Sequence, residues 1–316
     1  MTGKIIFSNA GSYTVLTENG EKFECRAAGK LRAVKIDKNT KFKIENKNKY
    51  SNKKDTKTVK ISPKVGDNVN FDFNSGLNYI TNILERKNDL IRPDIANVDQ
   101  VVLVMSAKEP DFSPYLLDLF IVNLLHNNID PLIVISKIDL CSKDEKKVID
   151  DYAEYYESIG YKTIVVDSLV GVNTKKIIPY LAGKVSVLSG QTGAGKSTLI
   201  NSLLPSFKLA TGEISKALGR GRHTTRNTTL YQEFDGLLGD TPGFSRLDVT
   251  SLSEEEISKH FVEFSNYHCK FRDCNHGVNA NNCGVIKAVE SGDIKESRLN
   301  NYRKIYKEVR SKRRWN

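Results

Sequence analysis

Over roughly the first 75 residues, apolar and polar positions alternate in short runs: "KIIFS", "YTVLTE", "KFECRA", "LRAVKI" and "DNVNFDF". Turn signals separate them, with "NG" at 19–20 and "VGD" at 65–67. Alternation with a period of two is the mark of half-buried strands. Several such strands in so short a length fit a small all-β barrel of the OB-fold type. From about residue 98 the pattern changes. "QVVLVMS" and "PLIVISK" are continuous apolar runs, as in parallel strands buried on both faces. Between them "FSPYLLDLFIVNLLHNN" reads as a helix, with Ser113 as N-cap and Pro114 in its first turn. "KTIVVDS" and "KVSVLSG" repeat the strand signal after further helical stretches, which predicts βαβ units in a doubly wound sheet. Beyond about 253, helical patterns and a cysteine cluster take over. The expectation is a multi-domain chain: a barrel over 1–75, an α/β domain over 76–252, and a small, mostly helical domain over 253–316. The Asn/Lys-rich stretch at 38–58 is expected to be a long solvated loop.

The chain has 316 residues, 39% hydrophobic and 27% charged, with no apolar run long enough to span a bilayer. The start, "MTGKIIFSNAGSYTV", has no apolar signal-peptide core, so a cytoplasmic address is expected. The net charge of +10 is uneven. Residues 1–75 hold 16 Lys/Arg against 8 Asp/Glu, residues 295–316 hold 9 against 2, and the middle holds 23 against 28. Basic ends around an acidic centre suggest that the ends touch a polyanion. Asn/Lys runs are also what a lysine-rich proteome produces.

"GQTGAGKS" (Gly190, Gln191, Thr192, Gly193, Ala194, Gly195, Lys196, Ser197) satisfies G-x-x-x-x-G-K-[ST], between the strand "KVSVL" and the helix "STLINSLL", which opens at Ser197 and Thr198. Its backbone N–H groups wrap phosphates, Lys196 neutralises the β/γ oxygens and Ser197 coordinates Mg²⁺. "DTPG" (Asp240 to Gly243) ends a strand-like run, where Asp240 can hold Mg²⁺ and Gly243 can sense a γ-phosphate. Ser136, Lys137, Ile138 and Asp139 form a base reader. A carboxylate accepts from both N1–H and the 2-amine of guanine, a donor pair that adenine lacks, so Asp139 selects GTP. Most G proteins carry Asn or Thr where Ser136 stands. The shorter hydroxyl is expected to lose a contact, to the base or to the P-loop. Ser168 stands where a backbone N–H meets guanine O6.

The motifs run reader, serine loop, P-loop, threonines (Thr224, Thr225), D-x-x-G. The usual order starts at the P-loop, so this is one cyclic rotation, and the central domain reads as a circularly permuted P-loop GTPase. Phe244 follows Gly243 and cannot orient water as glutamine does. "LGRGRHTTR" (218–226) supplies alternatives: His223 to orient or deprotonate water, Thr224 or Thr225 to close on Mg²⁺, and Arg220, Arg222 and Arg226 to offset charge or bind RNA phosphate. Loss of the γ-phosphate is expected to relax 244–252 and move the cysteine-rich domain.

Cys269, Cys274, His276 and Cys283 place four soft ligands within fifteen residues, a set suited to one structural Zn²⁺. His268 is a spare candidate. In the tail, Leu299, Tyr302, Tyr306 and Val309 share one helical face opposite Lys/Arg, a basic amphipathic helix suited to RNA. Two rivals stand beside a GTPase: an ATP-dependent P-loop enzyme acting on RNA, and a non-catalytic nucleotide-gated RNA-binding module.

On "ILERKNDLIRPDIANVDQVVLV" (83–104), "TGEISKALGRGRHTTR" (211–226), "CKFRDCNH" (269–276) and the rotated motif order, the chain resembles the ribosome small-subunit-dependent GTPase A family, over nearly its whole length. The resemblance implies an N-terminal OB-fold, a central GTPase and a C-terminal zinc domain. It also implies binding to the small ribosomal subunit and its rRNA, GTP hydrolysis stimulated there, and a role in late subunit maturation. His223 is then the catalytic histidine, and the Cys/His set the zinc ligands. No membrane partner is expected, and a monomer is.

Overall fold

The computed structural model describes residues 1–32, 34–36, 57–59, 62–74, 76–90, 93–167, 169–204, 228–240 and 252–313. They form two compact units, one built on Met1–Val98 and one on the chain from Asp99 onward, apart from the residues up to Gln232 in one late strand, which count with the first.

In the first unit, β1 (Thr2–Asn9), β2 (Ser12–Leu16) and β3 (Lys22–Ala27) form an antiparallel meander. β4 (Val34–Ile36) pairs with β5 (Lys57–Val59), so Lys57 and Thr58, expected in a loop, are strand. The rest of the insert, 38–56, lies outside the described residues. β6 (Asn68–Asn74) and β7 (Leu77–Ile83) complete a five-stranded barrel in the order β1-β2-β3-β7-β6. It closes where β6 returns to β1, with Thr2 opposite Asn70. Ile5, Val15, Val69, Phe71 and Ile80 are fully buried inside. The closing strand β7 lies past residue 75. Its sequence signal is weak because Ile80 alone of its side chains is buried.

The segment after the barrel is fastened back onto it. Arg86, nearly buried, donates to both oxygens of the fully buried Asp67 (2.7 and 2.8 Å) and to Asp89 (2.7 Å). β8 (Asp89–Leu90) pairs with β9 (Ile95–Ala96). Gly66 has φ +89°, and a Cβ there would lie 1.9 Å from the Ala96 carbonyl oxygen, so only glycine fits.

The second unit is a parallel sheet with helices. Its elements begin with β10 (Gln100–Ser106), α1 (Pro114–His126), β11 (Asp130–Ser136), α2 (Lys143–Ser158) and β12 (Thr163–Val165). They continue with β13 (Val185–Gly190) and α3 (Lys196–Leu203). β14 (Thr229–Glu233), which counts with the first unit up to Gln232, pairs there with β1 at Thr229 opposite Phe7, and β15 (Gly236–Asp240) lies in the parallel sheet of the second unit. The order is β12-β11-β10-β13-β15. β10 and β11 are buried along almost their entire length, as their unbroken apolar runs predict. Ser113 caps α1, its side chain accepting from Leu116 N at 3.2 Å.

Past β15 come α4 (Glu254–Lys259), α5 (Gly284–Glu290) and α6 (Glu296–Arg313). Their core of Leu252, Ile257, Phe261, Val285, Tyr302, Ile305 and Val309 includes Val122 of α1, with Tyr115 and Leu119 packed alongside. The C-terminal helices therefore share a core with the α/β layer.

Candidate nucleotide site and metal centre

Three neighbouring parallel strands bring the reader and the phosphate loop to one edge of the sheet. Ser106 at the end of β10 lies opposite Ser136 at the end of β11, and Val104 lies opposite Gly190 at the end of β13. Ligands of such sheets gather at these carboxyl ends. Gly190 turns the chain with φ +130°, and a Cβ would sit 1.9 Å from the Val104 carbonyl oxygen. Gly193 and Gly195 also take positive φ, at +80° and +77°. The crest at Thr192 and Gly193 is exposed, and Gly195 begins α3. Lys196 donates to the Gly190 and Gln191 carbonyls, at 3.1 and 2.8 Å. Burial lowers its pKa. Ser197 is half-buried in the first turn of α3, beside Thr198.

Ser136 is fully buried, and its hydroxyl donates to the Ala194 carbonyl at 2.6 Å, with the Met105 carbonyl 3.2 Å away. The short side chain thus keeps the tie to the P-loop. Lys137 adopts the left-handed conformation (φ +60°), and its ammonium donates to the Glu109 carbonyl. Ile138 and Asp139 sit in a single 3₁₀ turn, with Asp139 exposed.

Sequence reading missed a brace behind the reader. Ser142 and Glu145 form a capping box at the start of α2, and Lys108, just after β10, bonds both oxygens of Glu145 at 2.9 and 3.0 Å. The Ser-x-x-Glu spacing carried that signal. Glu145 is held down to about 2, first by the Ser142 backbone N–H and then by Lys108.

Asp240 is the last residue of β15, which runs beside β13 with Gly239 opposite Val187. Ser168, His223, Thr224, Thr225 and Gly243 lie outside the described residues, as do Arg220, Arg222, Arg226, Phe244 and the segment to 251. Asp167 next to Ser168 accepts from the backbone N–H groups of Leu169 (3.0 Å) and Val170 (3.3 Å).

In the C-terminal helical region, one ligand atom from each of Cys269, Cys274, His276 and Cys283 converges within 4.8 Å. His276 presents Nδ1, at 3.3 Å from the Cys283 sulfur, 3.6 Å from Cys269 and 3.7 Å from Cys274. The Cys269 and Cys283 sulfurs are 3.6 Å apart. Around a tetrahedral Zn²⁺ with bonds of about 2.3 and 2.0 Å, such edges come to roughly 3.5–3.8 Å. The set fits that ion and is far too open for a disulfide. Burial pushes the Cys283 thiol up to about 12. At Cys269 burial acts the same way, yet the backbone N–H groups of Val285 and Gly284 bring it below its ordinary value. Burial, then Arg303, keeps His276 neutral and fit to ligate. His268 is not among the converging groups. Behind the loop, Arg303 donates to the His276 and Gly277 carbonyls (3.0 and 3.2 Å) and Tyr302 to Asn275 (3.1 Å).

With the reader and the P-loop on one sheet edge, comparison with known proteins decides the family. The model of the RsgA GTPase family matches residues 83–250. The chain belongs to the RsgA GTPase family. It is 41% identical over 314 residues to the small ribosomal subunit biogenesis GTPase RsgA of Geobacillus sp. (strain WCH70), covering 98% of both chains. Its identity to the protein of that name from Halalkalibacterium halodurans is 40% over 312 residues, 98% of this chain and 97% of the other. Among solved structures it resembles YloQ, a circularly permuted GTPase (TM-score 0.76, 36% identity, 98% and 95% covered). It also resembles YjeQ from Thermotoga maritima (TM-score 0.79, 33% identity, 98% of each chain). The barrel, the permuted α/β domain and the helical region with its Cys₃His cluster are thus those of an RsgA-family GTPase. Among the described residues, no helix is long and apolar enough to cross a membrane.

Proposed function

We propose that this RsgA-family chain is a GTPase of small ribosomal subunit biogenesis, which binds the subunit late in its maturation and hydrolyses GTP faster when bound. The observation that carries the GTPase part is the Ser136–Ala194 bond, which ties a guanine-type reader to a P-loop at adjoining strand ends. Asp139 accepts from guanine, the N–H beside Ser168 meets O6, and the loop from Gly190 to Thr198 wraps the phosphates. Lys196 moves from its loop carbonyls to the β/γ oxygens. Ser197, Asp240 and Thr225 hold Mg²⁺, which when bound neutralises developing phosphate charge. His223 orients the attacking water, with Thr224 or Thr225 closing over the γ-phosphate.

The subunit and its rRNA as partner rest on the names of the relatives and on surface chemistry. Lys304, Lys307 and Arg310 are exposed at helical spacing on α6. Phe271 is about half exposed (52%), between the exposed Lys270 and Arg272. Cations for phosphate beside an aromatic ring for an unstacked base suit RNA. The Cys₃His set holds a structural Zn²⁺. The test is GTP turnover with and without purified small subunits, repeated with His223→Ala. Stimulation lost in the variant supports the reading. Absence of stimulation overturns the partner, and stimulation that survives moves catalysis away from His223.

A further inference from the structure

Among the described residues of the second unit, the most deeply buried charges lie outside the P-loop and the reader. Arg298 of α6 is 1% exposed, Asp118 of α1 is 0% and Glu263 is 4%. Arg298 donates to Asp118 through Nη1, and to both oxygens of Glu263 at 2.7 and 2.9 Å. Its guanidinium also lies 5.6 Å from the ring centre of Tyr156 in α2 and 4.4 Å from that of Phe261. Tyr156, fully buried, donates to Asp118 at 2.6 Å, and Asn301 donates to the other Asp118 oxygen at 2.6 Å. One turn earlier, Lys295 pairs with Asp151 of α2 and lies over the rings of Tyr152 and Tyr155. Burial pushes the Asp118 carboxyl up, and Arg298, Tyr156 and Asn301 pull against it. Arg298 itself is held firmly charged by Asp118 and Glu263 although burial opposes it.

An apolar core already joins α6 to α1, so packing alone did not require burying three charges. Such groups are costly to desolvate and contribute little net stability, but they fix geometry where their partners meet. Here Arg298, held by Glu263 within the C-terminal region, meets α1 through Asp118 and α2 through Tyr156, the helices on either side of β11 in the chain. α1 ends at His126 and β11 starts at Asp130. β11 delivers Ser136, and α2 starts at Lys143, four residues past Asp139.

We propose that Arg298 is a positioning residue for guanine recognition. Through Asp118 and Tyr156 it sets α1 against α2, and so fixes the Ser136–Asp139 reader relative to the P-loop from the C-terminal metal-bearing region. This coupling reaches the nucleotide from the base side, independently of the 244–252 segment. It rests on the reading of Asp139 as the guanine acceptor.

The experiment compares binding of GDP and IDP to the full chain. IDP lacks the 2-amine that the reader carboxylate accepts, so the ratio of affinities reports reader placement and not overall folding. The principal variant is Arg298→Met with Asp118→Asn and Glu263→Gln, which removes the charges together and leaves none unpaired; circular dichroism checks its fold. Arg298→Lys keeps the buried charge without the planar fork, and serves if the triple variant does not fold. The expected result is a folded protein whose GDP-over-IDP preference falls at least threefold. A folded variant with an unchanged ratio overturns the coupling. Asp139→Ala separates the two layers. If it leaves the ratio unchanged the reader assignment fails, whereas if it removes the preference and the Arg298 variants do not, the coupling alone fails.

Discussion

Replacing Ser136 by alanine tests how the reader and phosphate loop are tied. The hydroxyl donates to the Ala194 carbonyl at 2.6 Å from a fully buried position, so no water replaces it. A buried acceptor left without its partner costs about 1–3 kcal/mol. The cost falls on the loop arrangement that binds phosphate, because Ala194 is itself buried in the middle of that loop. A nucleotide that needs the loop in this arrangement bears the reduced population as weaker apparent affinity. At about 1.4 kcal/mol per decade, a mid-range cost of about 2 kcal/mol is roughly a 25-fold rise in the Kd for GDP. Ser136→Thr keeps the oxygen and adds a methyl group to a packed site, so its loss is expected to be smaller. Equilibrium titration with a fluorescent GDP analogue measures both. A Kd for Ser136→Ala within twofold of the original, or an equal loss in Ser136→Thr, refutes the reasoning.

Further outcomes follow from the same geometry. Cys283→Ser removes a buried member of the Cys₃His set, so bound zinc by elemental analysis should fall from about one per chain to a small fraction, with a lower thermal midpoint. Glu145, with its carboxyl held down to about 2 from an ordinary 4.5, contributes stability in full above about pH 4.5, and that contribution fades as pH falls toward 2. Glu145→Gln should therefore lower the urea midpoint at neutral pH and flatten its decline below pH 4.5. Deleting 253–316 takes Arg298 from Asp118 and bares the Val122 face of α1. The apolar face so uncovered is an aggregation liability, so the truncated chain should be found in the insoluble fraction on expression.

What could be read from the sequence was chemistry confined to short spans. The P-loop glycines, the Ser136–Asp139 reader and the Cys₃His set each lie within fifteen residues, so spacing alone constrains them. Ser113 as a cap and the two buried strands were legible for the same reason. Long-range partners were not. Arg298 and Asp118 are 180 residues apart, and each by itself looks ordinary: one more cation in a basic tail, one polar residue in an apolar helix. Arg86 reads as surface charge until Asp67 is found beneath it. β7 escaped because its strand buries little apolar surface, and the Ser136 contact because distance from a reader to a loop 58 residues on has no signature in composition.

Cyclic rotation of the motifs changes where the chain ends without changing the order of strands, and this explains what the last sixty residues do. The permuted chain leaves the sheet at β15, whereas the exposed flank that needs cover is α1, at the other end of the domain's sequence. The continuation packs there, sharing Val122, Leu119 and Tyr115 and inserting Arg298 against Asp118. The tail read as a basic amphipathic helix thus packs its apolar face as internal structure. Of its nine Lys/Arg, Lys295 is paired with Asp151, Arg298 is buried, and Arg303 holds the carbonyls of the metal loop. Among the described side chains of this helix, the cations that face outward are Lys304, Lys307 and Arg310, with Lys304 lying over the ring of Tyr115, so the charge these side chains offer a partner is smaller than the count suggests. On the two proposals above, the same helix faces two ways: its buried side would brace the guanine reader while its exposed side would meet the partner. One rigid element can then report binding of the partner to the base side of the nucleotide.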